Sequence, residues 1–62
     1  MKLIKLYEVY SNSDLFINPE HISMVKGGSL YGYSEILLAQ STMTIFVKEK
    51  VEEILALIEK AQ

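Results

Sequence analysis

The 62-residue chain has no cysteine, no tryptophan and no arginine, and only one proline and one histidine. Without cysteine there are neither disulfides nor thiolate metal sites, two of the devices that commonly hold up domains this small. Without arginine the chain lacks the planar forks that grip phosphates and guanine edges. Its six lysines are outnumbered by eight acidic residues, for a net charge of −2. Nucleic acid is therefore a disfavoured partner. No run approaches the roughly 20 apolar residues of a membrane-spanning helix, and the opening Met1-Lys2-Leu3-Ile4-Lys5 has no apolar stretch long enough for a secretory leader. The expectation is a small cytoplasmic protein without a membrane partner.

Chemistry-bearing clusters are scarce too. His21 is the one side chain expected to titrate near neutral pH, yet no Cys, Asp or second His stands at useful spacing, so it reads as a turn residue. Glu49, Glu52 and Glu53 open a helical stretch, where carboxylates complement the helix dipole. A hard cation wants more oxygens than one helical turn offers. Gly27, Gly28 and Gly32 are not followed by the Lys-Ser/Thr pair of a phosphate loop. Serines abound, but a single histidine must serve them all. The expectation is a non-enzymatic chain with no cofactor and no metal.

What is present is apolar surface. Half of the residues are hydrophobic, in a chain with room for one domain, 1–62. Lys2 to Tyr10 is rich in branched and aromatic residues and reads as a strand, with Leu3, Tyr7 and Val9 on one face and Ile4, Leu6 and Tyr10 on the other. Ser11 to Asp14 are turn formers, and Leu15-Phe16-Ile17 is a short second strand completing a hairpin. Asn18-Pro19-Glu20-His21 predicts one tight turn, with Asn as cap and Pro at the first position. Strands follow at Ile22 to Lys26, Ser34 to Gln40 and Met43 to Val47. From Glu49 to Ala61 the period changes: Val51, Ile54, Leu55, Ile58 and Ala61 form a helical stripe with Leu57 at its edge. The fold class is α+β, an antiparallel sheet of four or five strands with one C-terminal helix packed on it.

Most of these strands carry apolar residues on both faces, and one short helix covers only one. Leaving several Leu, Ile and Val side chains wet forfeits roughly 1.5–3 kcal/mol each, against a stability of about 3–5 kcal/mol for a domain of this size. A homo-oligomer, a dimer or higher, is the expected remedy; a sheet coiled into a small barrel is the other solution. Leu3, Ile4, Leu6, Phe16, Ile22, Ile36, Leu38, Ile45, Val47, Val51, Ile54, Leu55 and Ile58 are the expected core or interface residues. The Gly/Tyr-rich stretch 27–33, a long hairpin loop or a bulged strand extension, offers Leu30, Tyr31 and Tyr33 as a candidate partner-binding loop. A strand extension with one tyrosine on the core is its plainer reading.

Two motifs carry a family resemblance. Phe16-Ile17-Asn18-Pro19-Glu20-His21-Ile22 resembles the "aromatic, apolar, Asn-Pro-x-x-Ile" turn of the FlbD-like small proteins. Ile45-Phe46-Val47-Lys48-Glu49-Lys50-Val51-Glu52-Glu53-Ile54 is similar to their "Val-Lys-Glu-Ser-x-Glu-Glu-Ile/Val" junction, with Lys50 at the Ser position of a capping box. The resemblance implies a cytoplasmic bacterial protein, or a phage or mobile-element relative, and the expected function is that of a small protein-interaction module of unknown process. Some family members are tied to flagellar assembly or swarming, and the family offers no catalytic residues. The architecture is also similar to that of the carbon-storage-regulator type of RNA-binding dimer, although its early Arg-x-Gly-Glu pattern is missing. That makes an RNA-binding regulator the alternative function.

Overall fold

The computed structural model describes residues 2–28 and 32–62. Strands β1 (Ile4–Glu8), β2 (Ser13–Ile17), β3 (Ile22–Lys26), β4 (Ser34–Leu38) and β5 (Thr44–Val47) are followed by helix α1 (Val51–Ala61). All pairings are antiparallel and the strand order is β2-β1-β5-β4-β3. The expected α+β sheet with a C-terminal helix is the architecture found.

Period-2 alternation sorts the side chains. On the inner face Ile4 lies opposite Ile17, Leu6 opposite Leu15, and Val25, Ile36 and Ile45 make one row across three strands. A register shift between Ile22 and Met24 turns both Ile22 and Val25 inward. The core is Ile4, Leu6, Ile17, Ile36, Val47 and Ile54. Ile54 is the helix's contribution, and it is fully buried.

Between the third and fourth strands, Gly27 sits under the start of α1. A Cβ there would stand 2.9 Å from Val51 Cγ2, and a β-branched helical side chain has one strongly preferred rotamer with which to move aside. Gly27→Ala is therefore expected to cost on the order of 1 kcal/mol. In urea melts of Gly27→Ala, Val51→Ala and the double variant, the two costs should fail to add by at least about 0.5 kcal/mol. Strict additivity would mean that the two positions do not meet.

Element ends differ from the sequence expectation in several places, among them the starts of β1 at Ile4 rather than Lys2 and of β5 at Thr44 rather than Met43. β1 stops at Glu8 rather than Tyr10, because the β1–β2 turn begins at Val9 and passes through Asn12, whose φ is +56°. β2 accordingly starts at Ser13 rather than Leu15. β4 ends at Leu38 rather than Gln40, which adopts a left-handed φ of +65° in the turn to β5. The helix begins at Val51, not Glu49. Asn18 caps the 3₁₀ turn Pro19–His21, accepting from Glu20 N–H at 3.0 Å.

Four expected core or interface residues lie outside the core: Leu3, Phe16 and Leu55 are 61%, 61% and 52% exposed, and the partly buried Val51 is not among the side chains packed on the core cluster. Leu3 precedes β1, Phe16 points away from the helix beside Lys5, and Leu55 faces outward from α1. Ile17, Leu15, Val25 and Leu57 take inner positions instead.

The sheet consists of a β1–β2 hairpin and a β3–β4–β5 meander, joined along a short seam. At the seam a single residue pair, Glu8 and Val47, is in register. Val9 N–H donates to Phe46 C=O at 2.9 Å, and Lys48 N–H donates to Tyr7 C=O at 3.0 Å. Beyond Val47 the chain leaves for the helix, and a side chain extends the ladder. The Glu49 carboxylate accepts from Tyr7 N–H, at 2.9 Å to Oε1 and 3.2 Å to Oε2.

Candidate interaction surface

An eleven-residue helix is about 16 Å long and roughly 10 Å wide, and five strands at about 4.8 Å spacing span about 20 Å. The helix shelters one face. On the other, the register fixes which side chains are neighbours. Lys5 lies opposite Phe16 and Tyr7 opposite Asp14. Phe46, Glu35 and Lys26 form one row, and Thr44, Leu37 and Met24 the next.

Joining the apolar members gives a diagonal band to which every strand contributes one side chain: Phe16, Tyr7, Phe46, Leu37 and Met24. Neighbours along it are directly opposite or diagonal across adjacent strands, within reach of large side chains. Its two ends are the most open, Phe16 at 61% and Met24 at 37%. Tyr7, Phe46 and Leu37 are partly buried. Tyr10, assigned by strand alternation to the face of Ile4 and Leu6, instead packs edge-on against Phe46, with centroids 5.4 Å apart and planes at 84°. Such pairs contribute about 0.5–1.5 kcal/mol beyond burial.

Polar groups frame the band and hold its aromatic residues. Lys48 Nζ sits 4.5 Å from the Tyr7 ring centre. The Tyr7 hydroxyl donates to Asn12 Oδ1 at 2.6 Å, which ties the ring to the β1–β2 turn. Lys5 and Asp14 pair at 3.7 Å, with side chains 63% and 49% exposed. An ion pair that open contributes little to stability. The result is a partly exposed apolar strip, open at both ends and with charges of both signs along it, not a polar solvent face.

Of the candidate loop residues, Leu30 and Tyr31 lie outside the described residues, and Tyr33 is partly buried immediately before β4. His21 closes the 3₁₀ turn, exposed, with its Nε2 3.5 Å from Asn18 Nδ2. Among the described residues, no three His, Cys, Asp or Glu side chains gather as a metal-binding group. The three helix-opening glutamates part company. Glu49 serves the sheet seam, and Glu53 Oε1 accepts from Lys50 N–H at 3.4 Å. The Lys50 side chain carries only donors, so it cannot return the bond as a Ser hydroxyl would. Glu52 is exposed in the first turn.

A shallow cleft of about 340 Å³ lies where the 3₁₀ turn meets the end of the helix, lined by Pro19, Glu20, Ile58, Ala61 and Gln62. It gathers one carboxylate and no second catalytic group. No helix among the described residues is long and apolar enough to cross a membrane. Compared with family models, curated proteins and solved structures, the chain matches none.

Proposed function

We propose that this chain is a small non-enzymatic protein-interaction module that acts as a homo-oligomer in the cytoplasm, in the manner of the FlbD-like proteins it resembles. The observation that carries the reading is the diagonal band, with one apolar side chain from every strand on the face opposite the helix. Single exposed apolar residues are ordinary, whereas a contiguous strip rimmed by polar groups marks a binding surface. Aromatic residues and methionine are the types enriched at the centres of protein interfaces. In a domain with little stability to spare, covering this strip with a second copy also adds stability through mass action.

The test is the solution mass. Light scattering and sedimentation at tens to hundreds of micromolar should give a weight-average mass above the 7.1 kDa of one chain. Leu37→Lys, which puts a charge in the middle of the band, should return the mass to one chain if the copies meet across the whole band and leave it unchanged if they join only at its Phe16 end, with the circular dichroism spectrum unchanged in both cases. A single-chain mass for the unaltered protein throughout that range would overturn the reading.

A second function has one observation in its favour. Lys5 and Lys48 lie beside aromatic side chains on an open antiparallel sheet, and Lys26 shares their face on the far side of Glu35 from Phe46; lysines and aromatic rings on such a sheet are what single-stranded RNA stacks its bases on. Asp14 and Glu35 share that face and offset most of the charge. A salt-dependent mobility shift of a labelled single-stranded RNA, lost in Phe46→Ala, would favour this alternative over the protein partner.

A further inference from the structure

The two edges of the sheet are not equivalent. At one edge, β3 carries a register shift at Ser23, whose hydroxyl donates to Leu37 C=O at 3.0 Å, and it ends in Lys26. Bulges and lysines are devices that stop an edge strand from recruiting another. At the other edge, β2 runs in unbroken register with β1 from Ser13 to Ile17 and contains neither proline nor lysine.

The seam fixes which way the β2 backbone points. Tyr7 exchanges its N–H and C=O with the β5 side. In an antiparallel ladder hydrogen-bonded and non-bonded pairs alternate. Tyr7 and Asp14 are therefore a non-bonded pair, and Ser13, Leu15 and Ile17 bond to β1. The N–H and C=O groups of Asp14 and Phe16 point away from the sheet.

We infer that β2 pairs antiparallel with β2 of a second copy about a twofold axis at Phe16. This rests on the homo-oligomer reading above and names where the copies join. The register follows from the side chains. Centring the pair on Asp14 sets two carboxylates directly opposite, which is destabilising. Centring it on Leu15 sets each Asp14 against a phenyl ring. Centring it on Phe16 puts ring beside ring on the outer face and Leu15 beside Ile17 of the other copy on the inner face, with Asp14 facing the polar Asn18. Phe16 is the end of the diagonal band, so this pairing covers its most exposed residue and joins the two bands end to end. Five paired residues per chain bury less than the roughly 800 Å² per partner of a standard interface. The dimer is accordingly concentration-dependent.

Amide hydrogen exchange of the full chain, from tens of micromolar to millimolar, tests the pairing. The amides of Asp14 and Phe16 should slow by tenfold or more as the mass rises, with Leu15 changing less because it already bonds to β1. Phe16→Pro removes only an outward N–H, a position at which edge strands tolerate proline. It should keep the circular dichroism of the parent and lose the association. Should Phe16→Pro fail to fold, Phe16→Lys sets two ammonium groups opposite and should also stay a single chain. If the protein associates while Asp14 and Phe16 exchange at a constant rate, and Leu37→Lys but neither Phe16 variant abolishes association, the edge pairing is wrong and the homo-oligomer stands. If the protein never associates, both fall.

Discussion

Ile54→Ala is expected to remove most of the protein's stability at 25 °C. Ile54 is the one fully buried side chain of the helix, set against Ile4, Leu6, Ile36 and Val47 of the core cluster. Truncating a buried isoleucine to alanine costs about 2–5 kcal/mol, through lost transfer energy and the cavity left behind. Alanine's better helix propensity returns only a few tenths of a kcal/mol. A domain of this size holds about 3–5 kcal/mol in all, so the loss consumes most of it. In thermal melts followed by circular dichroism, each kcal/mol moves the midpoint by about 4–8 °C at this chain length. The midpoint should therefore fall by about 10 °C or more, or the transition should vanish. Leu55→Ala, which truncates a residue 52% exposed, is the control and should melt close to the parent. Equal melting of the two variants would show that the helix is not held through Ile54.

Glu49→Ala is expected to cost about 1.5–3 kcal/mol, the range for losing a hydrogen bond to a charged group. The Glu49 carboxylate is the acceptor for Tyr7 N–H at the seam, where β5 has already turned toward the helix. Without it a partly buried donor is left unpaired, and the β1–β5 pairing loses one of its few bonds. Glu49→Gln keeps one acceptor oxygen and should recover part of the loss. Urea midpoints at unchanged slope give the stability change, and faster exchange of the Tyr7 amide locates it. An alanine variant as stable as the parent, with Tyr7 exchange unaltered, would mean that water replaces the carboxylate without cost.

The strands and the helix were legible because their local chemistry is unambiguous. Asn18-Pro19 builds its own cap, Ser and Asn residues break the chain, and the helical stripe begins where the alternation stops. Which apolar residue faces inward was less so. Leu55 and Leu57 illustrate the reason: at about 100° per residue, both lie about 80° from the centre of the stripe set by Val51, Ile54, Ile58 and Ala61. Periodicity cannot choose between them. The sheet chooses, by lying on the Leu57 side. Phe16 and Ile17 pose the same question in a strand whose apolar residues are consecutive, and there the register with β1 decides. The diagonal band required the strand order β2-β1-β5-β4-β3, which local patterning does not contain. From local sequence Glu49 is only a helix-dipole partner, because its acceptor role depends on a residue 42 positions away. Leu30 and Tyr31, two of the three candidate residues of the Gly/Tyr loop, lie outside the described residues.

The seam between hairpin and meander also orders events in time. Every other strand contact joins neighbours in sequence through a short connection, which closes at small entropic cost. Bringing Glu8 to Val47 closes a loop comprising most of the chain, and long-range closures of that kind set the pace of folding. Local pairing within each half is thus expected to come first and to be stabilised only when the halves dock, the step that should limit the folding rate. Glu49 and Ile54 act there together: the same few residues that clasp the halves also bring the helix down over the join.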